Sequence, residues 1–128
     1  PAIAAVLLNA SPSNLMYDVE TFGLLFESMV IRDLRIYAQT LSGNVFHYRD
    51  SDGLEADAII HLSDGRWGAV EVKLGVNRID EAASNLIRLA HKVDLKHKPS
   101  FLAVITGSEY GYRREDGVYV VPIGCLKP

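Results

Sequence analysis

Two short segments joined by a tight turn constrain the fold of this chain more than any other feature. Residues 54–60 and 67–73 both read as β-strands, in which alternate side chains lie on the same face. Between them, Ser63-Asp64-Gly65 is typical of a three-residue hairpin loop, with glycine in the left-handed position that such a loop needs. The sequence therefore predicts an antiparallel hairpin whose loop fixes the register of its two strands.

The predicted register gathers charged side chains on one face of the hairpin. It places Asp57 opposite Glu71, and Glu55 opposite Lys73. Carboxylates that face each other on neighbouring strands repel by roughly 0.2–1 kcal/mol. A divalent cation between them relieves that repulsion, and hard cations such as Mg²⁺ prefer oxygen ligands. The pattern therefore indicates a metal-dependent phosphodiesterase centre.

A structural interpretation of the same residues is also open. In it, the charged side chains form the solvated face of an ordinary hairpin, and Glu55 makes a weak surface ion pair with Lys73. Both interpretations predict that the opposite face is a core surface, which carries Leu54, Ala56, Ala58, Ile60, Leu62, Val70, Val72 and Leu74.

A long amphipathic helix is predicted upstream, because residues 20–40 contain no proline and their polar side chains cluster on one side. That polar wedge consists of Ser28, Arg32, Arg35 and Gln39. Glu27 lies within the apolar arc, where an unpaired ionised carboxylate costs several kcal/mol. We therefore expect Glu27 to meet a metal ion, a cation or a hydrogen-bond donor. If the domain has only a structural or oligomerisation role, Glu27 is instead expected to pair with an arginine.

The whole chain reads as an α/β domain. The predicted elements are a short helix at 2–8, the helix at 20–40, strands at 45–49, 54–60 and 67–73, a helix at 79–93, and strands at 101–105 and 117–122. We expect one domain over residues 1–128, with a mixed central sheet of about five strands flanked by helices.

Composition restricts the class of protein. The 128 residues are 48% hydrophobic, which suffices for one compact core. The sole cysteine, Cys125, excludes an internal disulfide and favours a reducing compartment, so we expect a cytoplasmic protein. No segment reaches the roughly 20 apolar residues of a membrane span. The chain also lacks the glycine-rich P-loop pattern with which many ATPases hold phosphate.

Four motifs in this order resemble a known family. They are Phe22-Gly23-Leu24-Leu25-Phe26-Glu27, Tyr48-Arg49-Asp50, Gly53-Leu54-Glu55-Ala56-Asp57 and Glu71-Val72-Lys73. The chain is similar to the uncharacterised domain that follows the ATPase module in many bacterial and archaeal AAA+-type ATPases. That domain resembles the PD-(D/E)xK superfamily of restriction-endonuclease-like proteins, although here Ala56 stands where the superfamily name has proline.

The resemblance implies a restriction-endonuclease-like core of three layers and a role for each matching residue. Asp57 and Glu71 are implied as ligands of Mg²⁺ or Mn²⁺, and Lys73 as the charge that stabilises or activates the attacking water. Glu27 is implied as the helix acid, and whether Glu27 or Glu55 also binds metal stays open. An ATPase module preceding this domain in the same polypeptide is the implied partner.

Nucleic acid is the expected substrate, since phosphodiester hydrolysis needs an activated water and charge neutralisation at the phosphate. The net charge of −3 is not typical of a strong non-specific DNA binder. A local basic patch is nevertheless predicted to contact nucleic acid, and its members are Arg88, Lys92, Lys96 and Lys98.

Two further functions remain open. One is a catalytically silent DNA- or protein-binding domain that regulates the attached ATPase. The other is a structural or oligomerisation domain, for which a large apolar surface patch is expected.

Overall fold

A computed structural model describes residues 15–93 and 98–126. In chain order the elements are α1 Leu15–Thr40, β1 Gly43–Arg49, β2 Glu55–Leu62, β3 Trp67–Lys73, a 3₁₀ turn Val76–Arg78, α2 Ile79–Lys92, β4 Phe101–Thr106, β5 Tyr112–Arg113, β6 Tyr119–Pro122 and a 3₁₀ turn Ile123–Leu126. The predicted helix at 2–8 lies outside the described residues. Neither long helix, nor any other helix in the described ranges, is long and apolar enough to cross a membrane.

The helix α1 follows the predicted amphipathic pattern. The side chains of its polar wedge are exposed, and the residues buried against the sheet are Phe26, Val30, Leu34 and Ala38. The helix ends where Ser42 adopts a φ of 55°, a left-handed conformation that is incompatible with a further helical turn. Gly43 then starts β1, so the chain reverses direction within a few residues.

The hairpin of β2 and β3 has the predicted register. Ala58 pairs with Val70, and the pairing continues toward the loop as far as His61 with Trp67. Gly65 has a φ of 95°, which is the left-handed conformation that the loop was predicted to need. The ladder stops at the Ala58 pair, however, so it ends one residue before Asp57.

All described strands form one mixed sheet in the order β1-β2-β3-β4-β6-β5. The strands β3, β4 and β6 run parallel, while β1, β2 and β5 pair antiparallel with their neighbours. The prediction of an α/β fold with a mixed sheet is confirmed. The sheet has six strands in the described residues, and the additional one, β5, is two residues long, too short to show a periodicity in sequence.

Each helix covers one face of the sheet, which gives three layers. The face under α1 carries Ala58, Val70, Val72, Ala103 and Ile105. The face under α2 carries Ala56, Ile59, Ala69, Val104 and Val120. The prediction that the hairpin has one core face and one charged face is therefore wrong, because helices cover both faces.

A β-bulge interrupts the pairing of β1 with β2. The register shifts by one residue between Phe46 and Tyr48, so that His47 alone faces two residues of β2, Asp57 and Ala58. The side chains of β2 before and after the bulge therefore alternate out of phase: Ala56 and Ile59, three residues apart, share the cluster under α2, whereas Ala58 packs in the cluster under α1. The bulge lies at the residue that the sequence identified as a metal ligand.

Candidate active site

Asp57 sits in the bulge of β2 and reaches across to β3. Its Oδ2 accepts a hydrogen bond of 2.7 Å from the backbone amide of Val72. The β2–β3 ladder has already ended there, so a side chain takes the place of the backbone acceptor that a regular ladder would provide. This hydrogen bond fixes the Asp57 carboxylate beside the strand that carries Glu71 and Lys73.

Glu71 is a buried carboxylic acid in the middle of the sheet. Only 5% of the residue is exposed, although the sequence alone could not exclude a solvated position. Burial raises the pKa of Glu71 to about 8, with further contributions from the negative charge of Asp57 and a hydrogen bond shared with it. The ammonium group of Lys73 opposes this shift without cancelling it. Glu71 therefore holds a proton at neutral pH unless a cation replaces it.

Glu27 approaches the same aspartate from α1. The residue is half-buried, and burial is again the largest cause of a raised pKa, followed by the charge of Asp57 and a hydrogen bond shared with it. The arginine partner expected for a structural or oligomerisation role is missing, since Glu27 makes no ion pair with arginine in residues 15–93 and 98–126. Asp57 thus stands between one acid from a helix and one from a strand.

Lys73 is the cation of the site. Its Nζ lies 3.8 Å from Oε2 of Glu71, and 27% of its side chain is exposed. Strand alternation places Lys73 and Glu71 on the same face, as the Glu-Val-Lys spacing predicts. One ammonium group therefore faces several carboxyl groups, and the proton that Glu71 holds at neutral pH makes up part of the deficit of positive charge.

Glu55 lies at the open side of the acidic cluster and does not pair with Lys73. Its Oε1 is 2.8 Å from Nε2 of His47, and both side chains are about half exposed. The charge of Glu55 still contributes to the raised pKa values of Glu27 and Glu71. The contact of His47 was not predicted, because the register of β1 on β2 depends on the bulge, for which the sequence offers no local signal.

The donor atoms suit a hard divalent cation only in part. All the acids are carboxylates, which is the ligand chemistry of Mg²⁺ and Mn²⁺. In the described part of the chain, however, no three His, Cys, Asp or Glu side chains are gathered closely enough to hold a metal ion by themselves. Mg²⁺ often takes one or two carboxylates and completes its shell with water and substrate phosphate. Asp57 and Glu71 fit that mode of binding.

The predicted nucleic-acid patch is divided in the structure. The Nζ of Lys92 lies 2.8 Å from Oδ2 of Asp50 and also contacts Asp52, so its charge is already compensated. Arg88 and Lys98 are exposed. Lys96 lies outside the described residues. A contact of Arg88 or Lys98 with phosphate stays a prediction, whereas Lys92 has an intramolecular role.

The family model of a domain of unknown function, DUF4143, matches residues 22–126. The matched range contains Glu27, Asp57, Glu71 and Lys73, and it spans the sheet from β1 to β6. No curated protein and no solved structure matches the chain. Because the family model covers most of the 128 residues, the chain belongs to the DUF4143 family.

Proposed function

We propose that this domain is a metal-dependent, PD-(D/E)xK-type phosphodiesterase that acts on nucleic acid and is attached to an AAA+-type ATPase. The observation that carries the proposal is Glu71. This acid is almost fully buried against Asp57, its pKa is raised to about 8, and Lys73 is the cation beside it.

A buried acid such as Glu71 carries an energetic cost that the fold alone does not require. Ionising Glu71 in its buried position is unfavourable, and an apolar residue at the same point of β3 would pack with less cost. Strained or unfavourable electrostatics of this kind concentrate at functional sites. A bound cation would make the charged form favourable, so the acidic cluster is explained if its role is to bind one.

Each residue of the site has a distinct role in the proposal. Bound Mg²⁺ or Mn²⁺ would neutralise charge at the phosphate and lower the pKa of a water molecule. Asp57, oriented by the Val72 amide, and Glu71 are the proposed ligands. Lys73 directs its positive charge toward the phosphate or the attacking water. Glu27, whose pKa is raised by burial and by the charge of Asp57, is the proposed helix acid.

The ATPase partner and the location of the domain belong to the same proposal. The motif resemblance supports an ATPase module on the N-terminal side in the same polypeptide. The sole cysteine is compatible with the cytoplasm, where that ATPase would have its nucleotide.

A catalytically silent DNA- or protein-binding regulatory domain is the second candidate. Two observations favour it: no three-ligand group is assembled within the described ranges, and Lys92, one of the four basic residues predicted to touch nucleic acid, is neutralised by Asp50 and Asp52. In that case the acidic cluster would have a structural role, and the ATPase would do the chemistry.

Metal binding and cleavage distinguish the two candidates. We would titrate Mn²⁺ into the chain and into Asp57→Asn and Glu71→Gln, then assay all three on single- and double-stranded DNA and RNA. Glu81→Gln is the matched control, because it removes one exposed acid from α2. The proposal expects binding and cleavage in the wild type and the control, and loss of both in the site variants. A wild type that neither binds metal nor cleaves would favour the silent domain.

A further inference from the structure

The aim of the Asp57 side chain depends on where the extra residue of β2 falls. In the bulge, the Asp57 carboxylate is directed to the Val72 amide and lies between Glu27 and Glu71. Moving the bulge by one residue would turn Asp57 toward the other face, since side-chain direction alternates with every residue of a strand. The position of the bulge is therefore as important for the site as the identity of the residue.

On one side of the bulge, β1 pairs with β2 from Gly43 with Leu62 to Phe46 with Ile59. On the other side, Tyr48 pairs with Ala56 and Arg49 with Glu55, close to the connection between β1 and β2. Since these two registers differ by one residue, the connection must hold the first residues of β2 in place. Without that constraint, the extra residue of β2 could lie at another position along the strand.

Asp50 organises that connection. Its Oδ1 accepts hydrogen bonds of 3.0 Å from the backbone amides of both Asp52 and Leu54, and its own amide donates to the Leu54 carbonyl at 3.0 Å. Gly53, with a φ of 86°, closes the turn by donating to the Asp50 carbonyl. These bonds fix the path of the chain up to the residue that precedes Glu55.

Lys92 ties the connection to α2. From the last turn of this helix its ammonium group contacts Asp50 and Asp52, while the Tyr48 hydroxyl donates to the same Oδ2 of Asp50 at 3.3 Å. Tyr48 in turn packs against the core cluster under α2. The connection is therefore held from both the strand and the helix.

We infer that Asp50 and Lys92 are positioning residues of the acidic site: they lock the start of β2 so that the bulge falls at Asp57. The consequence for metal binding rests on the proposed function. The direction of the Asp57 side chain does not depend on the proposed function, because the hydrogen bond from the Val72 amide reports that direction in the metal-free protein.

Nuclear magnetic resonance of the Val72 amide tests the inference. The variants are Lys92→Met, Asp50→Asn, which keeps the side-chain oxygen for the turn, and Lys92→Arg, which keeps the charge. Arg78→Met is the matched control, because it removes an exposed ion pair with Glu81 from the other end of α2. The Mn²⁺ affinity of each variant is measured in parallel.

In Lys92→Met and Asp50→Asn we expect a changed chemical shift of the Val72 amide and several-fold faster hydrogen exchange at that amide. Both quantities should return toward the wild-type values in Lys92→Arg and stay unchanged in Arg78→Met. Metal affinity should fall roughly 10- to 100-fold in the first two variants, as for other residues that orient ligands. An unchanged Val72 amide in both variants would overturn the inference. A wild type that binds no Mn²⁺ contradicts the proposed function, and the amide measurement then still decides the inference.

Discussion

Two acidic regions lie close together in sequence and differ in how their charges are satisfied. In the β1–β2 connection, Asp50 and Asp52 face Lys92, and Asp50 also accepts backbone hydrogen bonds. The hydrogen bond from Lys92 is the largest cause of a lowered pKa at Asp50. In the site around Asp57, burial is the largest cause of raised pKa values at Glu27 and Glu71.

The difference identifies the region in which positive charge falls short of the number of carboxyl groups. The connection has a cation for its acids and lies near solvent, so its ionised form is stable as it stands. The acidic site compensates its carboxylates with Lys73 and with protons. Acidic residues alone do not indicate a metal site. Burial together with a deficit of positive charge is the more informative combination.

Replacing the lysine of each region should affect metal binding differently. Lys92→Met is expected to weaken Mn²⁺ binding, whereas Lys73→Met should mainly slow cleavage. In Lys73→Met we expect the cleavage rate to fall by roughly 10²–10³, as when a single stabilising donor is removed from other active sites. Mn²⁺ affinity should be kept or increased, because a competing cation is gone. Single-turnover cleavage and Mn²⁺ titration measure the two effects separately. A Lys73→Met variant that cleaves at the wild-type rate would contradict the assigned role.

The pH dependence of stability should differ in sign between the regions. Because the pKa of Glu71 is raised from 4.5 to about 8, the native state retains a proton that the unfolded state loses over this range. Stability without metal should therefore fall as pH rises from about 5 to 8, by roughly 3 to 4 kcal/mol at 1.36 kcal/mol per pKa unit. Urea unfolding of wild type and Glu71→Gln measures this. The variant should lose the part of the slope that Glu71 causes, and an equal slope in both proteins would contradict the burial argument.

Asp50 should show the opposite trend at acid pH. Its lowered pKa means that it contributes stability above its ordinary value of 3.8, which is lost as pH falls through the folded-state value. We expect Asp50→Asn to be less stable than wild type at neutral pH and to lose less stability on acidification. This effect should be smaller than that at Glu71, because the connection is close to water. Acid unfolding curves that superimpose would contradict it.

The smallest effect is expected for the pair at the open side of the site. Replacing His47 by Gln removes its contact with Glu55, and since both side chains are about half exposed the stability change should stay below about 1 kcal/mol. Thermal unfolding measures it. A loss of several kcal/mol of stability would mean that His47 stabilises the bulge in addition to its contact with Glu55.

Local features made much of this fold predictable from sequence. The loop at Gly65 fixes the hairpin register, and the apolar spacing of α1 identifies both its buried face and the unusual position of Glu27. The Glu-Val-Lys spacing likewise places Glu71 and Lys73 on one face. These patterns depend on neighbours within a few residues, so a sequence reveals them.

Non-local features could not be predicted in the same way. The bulge at Asp57 lies where two registers of β1 on β2, which differ by one residue, meet. The burial of Glu71 depends on β4 pairing alongside β3 and on a helix on each face of the sheet. The contact of Lys92 with Asp50 joins residues far apart in the chain, and no periodicity reports it.

Calorimetric titration of Mg²⁺ and Mn²⁺ at about pH 7, in two buffers of different ionisation enthalpy, tests the central claim most directly. If the buried acids bind a cation in place of a proton, the wild type should bind metal and release protons, and Asp57→Asn should do neither. Two results would contradict the account: a wild type that gives no binding heat in either buffer, or an Asp57→Asn variant that binds metal as well as the wild type does.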